Sequence, residues 1–421
     1  MTDRDPTSPE AHDGARPGSS AAPEAFDVAV VGAGPAGATA ALALAVGGLT
    51  VALVGPPAAV DARTTALLGG SVDLLARLDV WPRAVEAAAP LKVMRLVDDT
   101  RRLIRAPETA FDAAELGREA FGWNIPNDAL NRALAEVLAM MPTVVRITAP
   151  VERIAPDATG VTLLAGGRTV RARLAVAADG AGSPTREAAG IAVRRWRYRQ
   201  TALVTTLRHT VPHFGVSTEF HTPSGPFTLV PLPGQRSSLV WIERPAEAER
   251  LAALDDAALA VAIEAQAQSI LGAMTIEGPR GLLPLDGHLA IRFAENRVAL
   301  VGEAAHRFPP IGAQGLNLGL RDVADLARAV RRSPADPGAP SVLADYDGAR
   351  RRDAAPRTAA VDLLDRSLLT GFLPVQLARS VGLWAAGRIP PLRRLAMRAG
   401  LGTMADDTRG RGASSAGRAS R

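Results

Sequence analysis

Apolar positions dominate the first part of the chain without following a single period. Between residues 28 and 60 no charged side chain occurs, which gives that run the hydropathy of a membrane span. Breakers interrupt it at Gly32, Gly34, Pro35, Gly37, Gly47, Gly48, Gly55, Pro56 and Pro57. Strand, turn, helix, turn and strand explain their placing, and one continuous helix does not. Residues 26–31 therefore predict a buried parallel strand, an Ala-rich helix follows as far as Val46, and residues 50–54 predict a second strand. The apolar runs at 174–177 and 296–301 have the same character. Segments 196–209, 217–221 and 227–243 read as strands of another sheet, with Pro233-Gly234-Gln235 as a hairpin turn. Helical spacing is present around residues 67–78, and Val323, Leu326, Ala327 and Val330 recur at i, i+3, i+4 and i+7. Residues 361–401 are helical in pattern, broken at Gly371, Pro374, Pro390 and Pro391. The whole predicts an α/β fold with a parallel sheet, a smaller mixed β-sheet and C-terminal helices.

The turn after the first strand reads Gly32-Ala33-Gly34-Pro35-Ala36-Gly37. In a Rossmann-like unit each glycine has its own task. Gly32 allows the tight turn, Gly34 lets a pyrophosphate approach the backbone, and Gly37 lets the helix lie close to the strand. The helix start adds free N–H groups and a partial positive charge for phosphates. With the strand before, the helix after and the second strand beyond, the pattern predicts a dinucleotide site. One expected group is missing, an Asp or Glu at the end of the second strand to hold the adenosine ribose. That position is Gly55, which leaves a ribose held by backbone or water, or a fold that has lost its nucleotide. The glycine pattern occurs once, so a second dinucleotide is expected only to dock briefly.

Composition narrows the classes. The 421 residues, 47% hydrophobic and 22% charged, suffice for two domains with a sizeable core, and 4% aromatics make that core aliphatic. The absence of cysteine excludes disulfides, thiolate metal sites and thiol nucleophiles. Lys92 is the only lysine, so the net charge of +5 is carried by arginine. The bias reads as genomic composition, because the one basic cluster lies at 388–421 and no basic stripe with interleaved aromatics marks a nucleic-acid partner. Residues 1–24 lack the apolar middle of a signal peptide and are expected to be a solvated leader. His12, His209, His213, His221 and His288 are scattered and form no metal pattern. His306 reads as structural, since no carboxylate or second histidine stands at triad or ligand spacing.

Three further motifs sharpen the nucleotide site. They are Asp61-Ala62-Arg63, then Asp179-Gly180-Ala181-Gly182-Ser183-Pro184 after an apolar run, and Gly302-Glu303-Ala304-Ala305-His306 followed by Pro309-Pro310-Ile311-Gly312-Ala313-Gln314-Gly315-Leu316-Asn317. With the N-terminal glycines they resemble the class A FAD-dependent aromatic monooxygenases, and among these the ubiquinone-biosynthesis hydroxylases of alphaproteobacterial type, over residues 26–401. The resemblance implies FAD lying across the parallel sheet, with its ring facing a pocket under the other sheet. It also implies NADPH or NADH as a transient reductant, O2, and a hydrophobic phenolic or quinone-precursor substrate. No covalent catalytic side chain is implied, and Arg63 and His306 are at most supporting residues. The cofactor contacts it implies are Gly32 to Gly37, Arg63 beside the flavin, Asn127 where relatives carry Gln or Arg, and Asp179 with Gly180. Gly302 follows, with Glu303 in place of the usual ribityl-binding Asp. Pro310, Gly312, Ala313, Gln314, Gly315, Leu316 and Asn317 would line the pyrimidine edge.

The corresponding plan is a leader to residue 24, FAD-binding parts at 25–190 and 284–345, a substrate sheet at 191–283, a helical segment at 346–404 and a basic tail at 405–421. Gly225, Pro226 and residues 229–232 are expected either to face the pocket or to pack in the core. Leu392, Leu395, Ala396 and Ala399 with Arg393, Arg394 and Arg398 form a basic amphipathic stripe. It suits an anionic membrane surface, a quinone-biosynthesis complex or a cap on the FAD domain. The expected location is cytoplasmic, peripheral on the inner face of the cytoplasmic membrane if that stripe binds there. The leading expectation is ring hydroxylation of a polyprenylated phenol. A same-fold reductase of prenyl chains and a non-catalytic scaffold of a quinone assembly stand beside it.

Overall fold

The structure is a computed structural model and describes residues 22–100, 105–309, 314–369, 382 and 388–401. Strand Glu24–Ala33 runs parallel to Arg168–Ala177 on one side and to Val51–Pro57 on the other. Val298–Leu300 and Val144–Ile147 extend this parallel array. Ala294–Glu295, Val161–Ala165 and Val151–Pro156 add antiparallel pairs, which completes eight strands. Val28, Ala29, Val30, Leu174, Ala175 and Val176 are wholly buried. Burial on both faces is why these strands read as unbroken apolar runs. Helices Pro35–Val46, Asn127–Ala139 and Gln314–Arg331 pack together over the array. Val323, Leu326, Ala327 and Val330 form the buried stripe of the last of these.

A second sheet of nine strands faces this layer. Its order is His306–Arg307, Gly281–Ala290, Val193–His209, Arg236–Glu243, Pro226–Leu232, Val216–His221, Val93–Asp98 and Thr109–Asp112, with Met274–Ile276 beside Val193–His209. The sheet draws strands from outside residues 191–283 as well. Val93–Asp98 and Thr109–Asp112 come from 25–190 and His306–Arg307 from 284–345, and Val93–Asp98 pairs in parallel with Val216–His221. Local periodicity carries no trace of so distant a pairing. One face of the sheet packs Leu203, Leu207, Phe220, Phe227, Leu229, Leu239 and Trp241 against Leu251, Leu259 and Ile263 of helices Pro245–Ala252 and Asp256–Gln266. The other face turns toward the parallel array.

A three-stranded sheet, Thr64–Leu68, Gly122–Pro126 and Ala89–Leu91, joins the two layers. The helix expected over residues 67–78 is therefore Gly69–Arg77, preceded by a strand. Thr64 Oγ1 donates to Ser238 Oγ at 2.9 Å, and Asn124 Nδ2 donates to the Pro231 carbonyl at 2.9 Å. The C-terminal helical segment begins at Pro340 rather than 346, as helix Pro340–Leu369, and Pro390–Leu401 follows. Among the described residues no helix is long and apolar enough to cross a membrane.

Candidate active site

The glycine turn sorts itself by crowding. A Cβ at Gly37 would stand 1.9 Å from the Gly32 carbonyl oxygen, and one at Gly32, where φ is +106°, would stand 2.3 Å from the Ala178 carbonyl oxygen. Both glycines are dictated by packing of strand against helix. Gly34 is different, because a Cβ there would meet nothing within 4 Å. It caps helix Pro35–Val46 with no side chain engaged, so the first-turn amides open onto free space. An anionic group fits that cradle. Gly55 is buried with φ +142°, and its Cβ would lie 3.4 Å from Gly32 Cα. An acidic side chain there would be strained, which is why this strand end carries none.

From Gly34 a cavity of about 1340 Å³ runs between the two sheets. Ligand pockets usually enclose about 300–1,000 Å³, so there is room for a dinucleotide with a second molecule beside it. Gly34, Pro35, Ala36, Asp61, Arg63, Asn127, Gly180, Gly302, Glu303, Gly315 and Leu316 line the part next to the parallel array. Leu96, Phe111, Val204, Glu219, His221, Val230, Val240 and Leu283 line the part under the second sheet. Strand alternation settles the open choice at 225–232: Thr228 and Val230 face the cavity while Leu229 sits in the core.

Asp61 is the hub of the polar part. It accepts from Arg63 Nε and Nη2, both at 2.7 Å, and from Asn127 Nδ2 at 2.8 Å. Burial pushes its carboxyl up, but the Arg63 and Asn127 hydrogen bonds outweigh that and bring it down to about 2. Asn127 Oδ1 accepts from Thr65 Oγ1 at 2.5 Å, and Asp128 Oδ1 accepts from the Asp61 amide at 2.9 Å. Arg63 is held half-exposed at the rim by this network.

The turn Gly302–Ala304 is pinned at each residue. Asp322 Oδ2 accepts from the Gly302 amide at 2.9 Å, His288 Nε2 donates to the Glu303 carbonyl at 2.8 Å, and Arg186 Nη1 donates to the Ala304 carbonyl at 3.0 Å. His306 Nε2 also reaches Asp322 Oδ2, at 2.7 Å, and both side chains are buried. The carboxylate that linear spacing does not pair with His306 is thus supplied by helix Gln314–Arg331. On its other oxygen Asp322 accepts from Arg350 Nε at 2.6 Å. Burial works against the Arg350 charge, yet the facing Asp322 keeps its pKa above the usual arginine range. Burial also drives the Tyr346 hydroxyl well above 10.0, and that hydroxyl donates to the Leu300 carbonyl at 2.5 Å.

Several residues of the expected set make their described contacts outside the cavity lining. The Asp179 carboxylate accepts from the Ser183 hydroxyl and from the Thr185 amide and hydroxyl, so it caps helix Pro184–Ala188 and does not line the cavity. Asn317 is buried, accepts from the Leu68 amide at 2.8 Å and Ser71 Oγ at 2.7 Å, and donates to the Ala66 carbonyl at 2.7 Å. It clamps a helix to a strand beneath the cavity wall. His306 is likewise packed behind the lining, stacked on Phe308 at 5.4 Å between ring centroids. Gln314 starts its helix, and Pro310, Gly312 and Ala313 lie outside the described residues. The pinning roles of Asp322, His288 and Arg186 escaped sequence reasoning because each reaches the turn from a distant element, and Arg350 acts one step further out, through Asp322.

The FAD binding domain profile matches residues 25–360. The chain belongs to this family of flavin-dependent monooxygenases. Ubiquinone hydroxylase UbiL of Rhodospirillum rubrum is 38% identical over 336 residues, covering 79% of this chain and 77% of that protein. The 3-demethoxyubiquinol 3-hydroxylase of Escherichia coli is 34% identical over 341 residues, covering 79% and 85%. Among solved structures, p-nitrophenol 4-monooxygenase PnpA from Pseudomonas putida superposes with a TM-score of 0.74 at 20% identity, over 90% of this chain and 98% of that one. That last likeness speaks for the fold alone. As a class A monooxygenase the chain takes FAD, and the open amides at Gly34 and the cavity that Gly34, Gly180 and Gly302 line fit it.

Proposed function

We propose that this monooxygenase hydroxylates the aromatic ring of a polyprenylated phenol on the route to ubiquinone, with NADPH or NADH as a transient reductant and O2 as co-substrate. The observation that carries the reading is the continuous cavity from the Gly34 cradle to an aliphatic sheet face. Bound FAD supplies the redox and oxygen-transfer chemistry. The chain binds, orients and dries. Amides at the start of helix Pro35–Val46 would hold the pyrophosphate, the Asp61–Arg63–Asn127 network steadies the rim, and the pinned Gly302–Ala304 turn would offer its backbone to the same cofactor. Leu96, Val204, Val230, Val240 and Leu283 exclude water from the reacting ring.

Ile389, Leu392 and Leu395 are 38%, 44% and 64% exposed, and Arg388 and Arg394 stand exposed beside them. This face supports peripheral contact with the anionic inner face of the cytoplasmic membrane, where a polyprenylated substrate and partners of a quinone-biosynthesis complex would be met.

The test is oxygen uptake by the purified flavoprotein with NADPH or NADH and a prenylated phenol, with the product identified by mass. Reductant- and substrate-dependent uptake with gain of one oxygen atom is expected. Reduction of the prenyl chain without oxygen uptake would replace this reading with the reductase, and failure to bind FAD at all would leave only a scaffold.

A further inference from the structure

Strand Val216–His221 alternates between two environments. Phe220 packs into the core under the helices, whereas Ser217, Glu219 and His221 face the cavity. By register Glu219 stands between Leu96 and Thr228, and beyond Thr228 lies Val240. An acid set into this largely aliphatic face needs partners. His221 Nε2 donates to Glu219 Oε1 at 2.9 Å, with the two side chains only 5% and 18% exposed. Among the described residues Glu219 Oε2 has only Thr228 Oγ1, at 3.5 Å, the outer limit of a hydrogen bond. Of the neighbouring charges among the described residues, Asp98, opposite His221, accepts from the Thr100 and Ala106 amides, and Arg280 is bonded to Asp256 and to backbone carbonyls, while Arg95 lies 3.5 Å from Glu108 without a hydrogen bond at its buried Nε.

We infer that Glu219 is the acceptor for the ring hydroxyl of the substrate, and that His221 positions its carboxylate. The inference rests on reading the cavity as a phenol-hydroxylating site, and it names the group that would orient the phenol there. An ionised carboxylate only accepts hydrogen bonds. With Oε1 committed to His221, Oε2 is left for an O–H donor entering the cavity. Strand spacing of ~4.8 Å and a rise of ~3.3 Å per residue put Glu219 roughly 12 Å from Ser238, across two strands and along two residues. Ser238 touches Thr64 beside Arg63, on the cofactor side. One substituted aromatic ring bridges that separation.

The chemistry follows from charge. In ring hydroxylation the ring is the electron donor. As a ring carbon bonds to the oxygen atom delivered from O2, the O–O bond breaks, and the other oxygen atom leaves as water, carrying the two electrons of the nicotinamide reductant. The hydroxyl proton passes to Oε2 and the O–H electron pair enters the ring, leaving a ring ketone. When the ring rearomatises, the carbon-bound proton leaves to solvent and Oε2 returns its proton to the ring oxygen. The carboxylate is regenerated. Before reaction, a carboxylate beside a phenolate is a like-charge pair and is disfavoured. Glu219 therefore selects the neutral phenol.

The sign of that selection is measurable without turnover. The FAD-loaded protein would be titrated with 4-nitrophenol by visible difference spectroscopy, over pH values straddling the ionisation of the free probe. In the wild type the bound probe should ionise at higher pH than the free one. Burial alone also does that, so the variant decides. Glu219→Gln should shift the bound probe's ionisation down by about one pH unit or more while FAD content is unchanged, and Glu219→Asp should restore part of the shift. His221→Gln should weaken binding and keep the neutral form preferred. With a prenylated phenol, kcat of Glu219→Gln should fall about 10²-fold. An unchanged bound-probe ionisation in Glu219→Gln overturns the assignment. So does a wild-type bound probe ionising at or below the free value, a result that needs no variant to fold. Loss of oxygen-dependent turnover with the Glu219-dependent shift intact would instead remove the hydroxylase reading and leave the phenol site standing.

Discussion

Gly34 and Gly37 sit three residues apart and answer to different constraints. At Gly34 the backbone is extended, with φ −69° and ψ 177°, and a side chain has open space. Gly34→Glu should therefore fold with the melting transition of the FAD-stripped wild type and yet purify colourless, because its carboxylate occupies the phosphate cradle. Gly37→Ala should do the reverse. Its methyl has nowhere to go, and a loss of about 3 kcal/mol in denaturant titration is expected. Retained flavin absorbance in Gly34→Glu would move the nucleotide elsewhere. His288 offers a second test. Burial lowers its pKa from 6.5 to about 4, partly offset by its bond to the Glu303 carbonyl. The unfolded chain then takes up the proton more readily than the folded one, so this contribution is complete above pH 6.5 and is lost as pH falls toward 4. The loss is up to about 3 kcal/mol. His288→Gln should flatten stability over that window, as read by urea midpoints at several pH values.

Helix Gln314–Arg331 is the element that ties the site together, through Asp322 to the Gly302 amide and through Asn317 to strand Thr64–Leu68. Helix Pro340–Leu369 braces it with Arg350. Removing one member of a wholly buried ion pair leaves the other charge uncompensated and costs about 3–5 kcal/mol. Asp322→Ala should lose about that much in chemical unfolding and weaken FAD retention with it, whereas Asp322→Ala combined with Arg350→Met should recover part of the stability. Equal stability of the single and double variants would show that Arg350 is satisfied by Asp325 and Asp353, its other partners. At this scale the sequence was readable wherever an element satisfies itself. The strands at 196–209 and 217–221 and the helix carrying Val323 announced themselves by period, and the crowded glycines by motif. What resisted reading depends on meetings across the chain. Val93–Asp98 and Thr109–Asp112 join a sheet whose other strands begin only at Val193. Asn317 follows two cavity-lining residues yet turns inward, and Asp179 serves its own helix. Glu219 and His221 were open to the alternation rule, since they stand two apart on one strand, but only the cavity shows which face matters.

Across the whole molecule two sheets enclose one space, and the last described helix helps to close it. Met397 is buried against Ala113 and Phe121, and Arg393 donates to Glu115 Oε2 at 2.6 Å and lies over the Phe111 ring. The opposite side of the same helix carries exposed Leu392 and Leu395. If that side rests on a bilayer, Arg394→Gln should weaken sedimentation with anionic vesicles about fivefold, Leu395→Glu should weaken it further, and added salt should weaken the wild type. Equal sedimentation of both variants with the wild type would place the helix off the membrane. Its inward side has a consequence of order along the chain. Among the described residues Met397 is the last of the cavity's lining to be synthesised, so every other described wall precedes the piece that helps to close the chamber.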